Sequence, residues 1–84
     1  MNHQLYLHYL KEYTLEALEH AGDNVSQAAD YLETQRRPGL ISKNRLEKRA
    51  ALDRAKKVFS SSRERSWYVV LKSLGFDDLA KEKI

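Results

Sequence analysis

The 84 residues include no cysteine, a single proline, three glycines and one tryptophan. Without thiols there can be neither disulfides nor thiolate metal ligands, so a core this small must be held by packing, alone or helped by association with another chain. So few glycines and prolines argue against a fold of many short strands joined by tight turns, and the abundance of Leu, Ala, Glu, Lys and Arg favours helices. No apolar run approaches the roughly 20 residues of a membrane span, and the opening MNHQLYLHYLKEY lacks the basic start and unbroken apolar stretch of a secretion signal. We therefore expect no membrane association and a cytoplasmic location.

What is present is a globular composition, 42% hydrophobic and 32% charged, in a length that suits one domain. The net charge of +3 hides a strong polarity. Residues 1–34 hold one Lys against six Asp or Glu, a net of −5, while residues 35–84 hold fourteen basic against six acidic side chains, a net of +8. From Arg36 to Arg65 eleven basic residues face only Glu47, Asp53 and Glu64. An acidic partner for the second half follows as an expectation.

The periodicity predicts a first helix from Asn2 to Ala21, stopped at Gly22, with Leu7, Leu10, Thr14, Ala17, Leu18 and Ala21 on its core face. Leu5, Tyr6, Tyr9 and Tyr13 form a second stripe. Either later segments fold over it or it is the interface of a homodimer or of a protein partner, since tyrosine joins contact area to a polar tip. Asp23 or Asn24 can N-cap a second helix carrying Val25, Ala28, Ala29 and Leu32. The stretch ETQRRPGL reads as a turn, because Pro38 excludes Arg37 from the helical region and Gly39 tolerates positive φ. A third helix is predicted from Ser42 as N-cap to Phe59, with Ala51, Leu52, Ala55, Val58 and Phe59 on one face and basic residues on the other. Ser61 and Glu64 have the spacing of a capping box for a fourth helix with Trp67, Val70, Leu71 and Leu74 inward and Gly75 as stop, and Ser60 to Ser62 read as loop and cap. DDLAKEKI can add a last short helix from Asp77.

Little points to catalysis. His3, His8 and His20 do not fall in a metal-binding pattern, Asp77 and Asp78 fit a helix start, and no nucleophile elbow, phosphate-binding glycine loop or paired-cysteine motif occurs. No enzyme activity, cofactor or metal is expected.

The segment EYTLEALEHAGDNVSQAADYL resembles the Fis-type helix-turn-helix, on Tyr13, Ala17, Leu18, Gly22, Asn24, Val25, Ala28, Ala29 and Leu32. The resemblance extends over residues 12–48 only if Glu33 to Pro38 enlarge the turn. Gly39 and Leu40 then take turn positions, Ser42 to Leu46 open the recognition helix, and Leu46 packs back onto the second helix. A related glycine, asparagine, alanine pattern occurs in ubiquitin-associated domains, but their Met-Gly-Phe-like first loop is absent. The Fis-type resemblance implies an all-α domain of four to five helices containing a helix-turn-helix-like unit, with residues 49–84 as a helical extension.

It also implies double-stranded DNA as partner and a role in transcription or nucleoid organisation. Lys43, Asn44 and Arg45 are then candidates for base edges, and Arg36, Arg37, Lys48, Arg49, Arg54, Lys56 and Lys57 for phosphates. The alternatives are a phage or plasmid regulator that binds a host protein, and an RNA-binding protein.

Overall fold

Asn2 opens the first helix. Its side-chain oxygen accepts from the Leu5 N–H at 3.2 Å, satisfying one of the donors that a helix start leaves free. The computed structural model describes residues 1–82, and α1 runs over His3–His20. At its end Gly22 and Asp23 both take positive φ, 59° and 63°. The Asp23 N–H then reaches the Leu18 carbonyl at 2.8 Å and the Gly22 N–H that of Glu19, the paired bonds of a glycine-terminated helix. Asn24, not Asp23, caps α2 (Val25–Glu33), accepting from the Gln27 N–H at 3.0 Å.

Residues 34–44 are not helical, as the Pro38–Gly39 pair led us to expect. The third helix nevertheless starts later than Ser42. Helix α3 spans Arg45–Ser61, and its N-cap Asn44 sits in the left-handed region (φ 56°) with no side-chain cap bond. Asparagine tolerates that conformation better than most residues. Its amide is used elsewhere, donating to the Tyr9 hydroxyl at 2.9 Å, while the Ser42 hydroxyl receives the Lys48 ammonium at 3.3 Å.

The far end of α3 also departs from expectation. Ser60 and Ser61 lie in its last turn, Ser62 caps it, and the Ser61 hydroxyl donates to the Val58 carbonyl at 3.1 Å, so the Ser61–Glu64 capping box does not form. Ser66 starts α4 (Trp67–Ser73) instead, accepting from the Val69 N–H at 3.3 Å. Gly75 (φ 87°) closes it, with Phe76 N–H to Leu71 carbonyl at 2.9 Å and Phe76 packed on the core. Helix α5 (Asp77–Glu82) follows with Asp77 and Asp78 in its first turn, where carboxylates favour the helix dipole. The predicted end of this segment, Lys83 and Ile84, lies outside the described residues. Five helices and no strand among the described residues make the domain all-α.

One core joins them. Ala51, Leu52, Ala55, Val58 and Phe59 of α3 are buried with Leu10, Ala17 and Leu18 of α1, Val25, Ala28, Ala29 and Leu32 of α2, and Val70, Leu71 and Ala80 beyond. Helix α3 packs against both α1 and α2, α4 packs against α5, and the five alanines of α1–α3 in this set are at most 1% exposed. Their lack of bulk permits the close helix approach.

Two expected core contacts are missing. Leu7 is 38% exposed, because α2 has nine residues against the eighteen of α1 and covers only the later half of α1. Leu46 is 59% exposed rather than packed on α2. Helix α2 lies along the later part of α3, where Glu33 reaches Ser60, and Leu46 lies about four turns before that contact.

The two serines separate the observed cap from the expected one. Ser66→Ala should lower stability by about 1 kcal/mol, seen as a fall in Tm of roughly 4–8 °C for a domain this small. Ser61→Ala should be neutral or slightly stabilising, since alanine is the better helix former. Thermal denaturation of both variants checks the order, which a Ser61–Glu64 capping box would reverse.

Candidate nucleic-acid interface

After Thr34, whose hydroxyl donates to the Tyr31 carbonyl and finishes α2, the chain runs on along α3 towards the start of that helix. The cross-contacts fall in antiparallel order. Arg63 reaches Asp30 (2.8 Å) and Ser26, Ser60 reaches Glu33, the Lys56 ammonium donates to the Gln35 carbonyl (3.0 Å), and Arg37 pairs with Asp53 (3.3 Å). What the sequence presented as an enlarged turn is a strap, residues 34–44, lying against the helix. Its tip is a closed turn in which the Ser42 N–H donates to the Gly39 carbonyl at 3.0 Å. From there the chain returns through Asn44 to the start of α3.

This arrangement divides the ten predicted DNA contacts. Arg36, Lys43, Arg49, Arg54 and Lys57 are exposed, and none has an ion pair or side-chain hydrogen bond among the described residues. Arg37 is exposed but shares its charge with Asp53. Lys48 is half-buried between the Ser42 hydroxyl and the Tyr9 ring, 5.4 Å from its centroid, and Lys56 is half-buried on the strap carbonyl. Arg45 is half-buried too, its Nε shielded and without a hydrogen-bond partner. Asn44 is held by Tyr9. Asn44, so held, is not a free donor for base-edge contact, whereas the Arg45 side chain makes no hydrogen bond or ion pair among the described residues.

The three acids of this stretch differ in exposure, and Glu64 is exposed beyond the end of α3. Glu47, a residue the sequence pattern did not single out, is 8% exposed, and Asp53 is paired with Arg37. The open face of α3 presents Leu46, Arg49, Ala50 and Lys57 around the Asp53 that pairs with Arg37, with Arg54 at its margin. Arg49 to Lys57 covers about 12 Å of helix axis at 1.5 Å per residue.

The tyrosine stripe is partly covered within the chain. Tyr6, Tyr9 and Tyr13 are half-buried and packed against the core, Leu5 is half-buried, and Tyr9 is held by Asn44 and Lys48. The three histidines are exposed, His8 beside Glu12 (3.3 Å) and His20 stacked near Tyr31 at 4.2 Å between ring centroids. Among the described residues no cluster of His, Asp or Glu is placed to hold a metal, and no helix is long and apolar enough to cross a membrane.

On the acidic side of the molecule, the Tyr31 hydroxyl donates to the Glu16 carboxylate at 2.6 Å. That bond, with some burial and the carboxylate charge, raises the Tyr31 phenol above its ordinary value. Burial, with Glu16, Glu12 and Tyr9 nearby, raises Tyr13 likewise. A raised folded-state value means both phenols favour folding below the ordinary tyrosine range and lose that contribution as pH climbs through the raised values. Ultraviolet titration should show two late-ionising tyrosines, and Glu16→Gln should return Tyr31 towards the ordinary range. An unchanged titration in that variant would dissociate Glu16 from the effect. Set beside family models, curated proteins and solved structures, the chain matches none.

Proposed function

We propose that the protein binds duplex DNA through the open face of α3 and the strap leading into it. The observation that carries this reading is the excess of free positive charge on one surface. Arg36, Lys43, Arg49, Arg54 and Lys57 are free and exposed, while of the three acids between Arg36 and Arg65 Glu47 is buried, Asp53 is paired with Arg37, and Glu64 is exposed beyond the end of α3. Cations so placed displace condensed counterions from a polyphosphate, which gives affinity with little regard to sequence.

The resemblance of Glu12–Leu32 to the Fis-type unit points the same way, since α1, its glycine turn and α2 form over those residues. Entry into α3 by a strap instead of a short turn changes which residues serve. The five free cations contact phosphates, Lys48 and Lys56 hold the strap, and Leu46 and Ala50 are the side chains that can meet thymine methyls in a groove.

Fluorescence anisotropy of a labelled duplex at several salt concentrations tests the proposal. Five phosphate contacts correspond to a slope of log affinity against log salt of about −4 to −5. Arg49→Glu with Lys57→Glu should flatten that slope by about two and weaken binding at least about tenfold. Unchanged affinity in this pair would overturn the assignment, and a structured RNA that competes as well as the duplex would overturn the choice of DNA.

A further inference from the structure

The tip of the strap breaks the usual chemistry of turns. Gly39, Leu40, Ile41 and Ser42 form a turn closed by the Ser42 N–H to Gly39 carbonyl bond, and its two central positions hold Leu40, 84% exposed, and Ile41, fully exposed. Central turn positions ordinarily carry Gly, Asn, Asp or Pro, for conformational reasons that leucine and isoleucine do not share. Two large aliphatic side chains there gain nothing from the fold, and an apolar pair in water is a cost without an internal return.

The turn is also firmly mounted. On one side the Lys56 ammonium binds the Gln35 carbonyl and Arg37 binds Asp53; on the other the Lys48 ammonium binds Ser42 and the Asn44 amide binds Tyr9. The four ties join the strap on both sides of the tip to α3 and α1. Residues 34–46 contain Arg36, Arg37, Lys43 and Arg45 and no acid, so the aliphatic pair projects from a basic segment, in which Arg37 is paired with Asp53.

We propose that Leu40 and Ile41 are a wedge that enters a base step of the duplex and bends it. The inference rests on the DNA-binding reading above and adds a deformation to it. Apolar wedges of Leu, Ile, Met, Phe or Pro, flanked by Arg or Lys, part the stack from the minor groove, and the loss of stacking is offset by the extra backbone contacts a bent duplex makes. Here the flanking cations are Arg36 and Lys43, and the additional backbone lies along Arg49, Arg54 and Lys57. A lipid surface fits less well. The tip carries no Trp, Tyr or Phe, which favour the membrane interface, and the charge runs on from the tip as a stripe along α3.

The test uses the whole chain and a short duplex labelled at both ends, with binding read by anisotropy and bending by energy transfer at saturating protein. The native protein should bind and shorten the end-to-end distance, by a bend of about 20–90°. Leu40→Ser with Ile41→Ser should still bind at low salt and lose most of the bend, while Arg49→Glu with Lys57→Glu should weaken binding itself at least about tenfold. Both tip side chains are solvent-exposed, so the serine variant should keep its fold, checked by an unchanged helical circular dichroism spectrum. A native protein that binds without bending the duplex, or a serine variant that bends it equally, overturns the wedge and leaves the DNA reading standing. Absence of duplex binding at low salt overturns both, and Ile41-dependent sedimentation with phosphatidylserine vesicles in that case would place the tip on a membrane.

Discussion

The packing of α3 into the angle between α1 and α2 is the constraint from which the other features follow. Its buried face is short-chained except at Leu52, Val58 and Phe59, with Ala51 and Ala55 fully buried where the helices come closest. Phe59 is the largest side chain wholly inside. With no cysteine available, that contact and the smaller one made by α4 and α5 are what hold the chain together. Because α3 commits this face to the core, its opposite face must look outward. That face is the basic one.

The strap is a second consequence. Helix α2 is too short to reach the beginning of α3, so the chain has to travel back along the outside of α3 before that helix can start. Each rung that accompanies it is an exposed or half-buried polar contact, and such contacts stabilise by only about 0–1 kcal/mol apiece. Their effect is cumulative and geometric: they fix the path of the strap, pair Asp53 with Arg37, engage Lys48 and Lys56, and leave the tip projecting. Electrostatically the result is a molecule with two sides. Glu12, Glu16, Glu19, Asp30 and Glu33 are exposed on α1 and α2, and the free cations lie on α3 and the strap.

Much of this was legible in the chain before folding. The α1 stop at Gly22, the Asn24 cap, the inward set of α2, the apolar face of α3 and the Gly75–Phe76 closure are all local events, written in residues within one turn of each other. The serines show where such reading goes astray. Ser61 and Ser66 are equally good caps by type, and the choice between them depended on whether α3 could keep packing for two more residues. Ser42 lost the α3 start for a similar reason, since Asn44 and Lys48 had a distant partner in Tyr9 that no local pattern reveals. Leu7 and Leu46 sat on plausible stripes, and were left exposed because the neighbouring helix ends before reaching them.

By itself, then, the sequence determined the helices, most of their caps and the division of charge between the two halves, because propensity, capping and helical periodicity act over three or four residues and charge is conserved whatever the fold. Only the tertiary structure decided which of the cations are free. A lysine such as Lys56 and one such as Lys57 are indistinguishable in sequence, yet one reaches a carbonyl of the strap and the other faces solvent. That difference depends on which segment passes beside the helix, a contact between residues some twenty positions apart in the chain for Lys56 and Gln35. The aliphatic turn at Leu40 and Ile41 belongs to the same class, for its exposure follows from the strap that carries it.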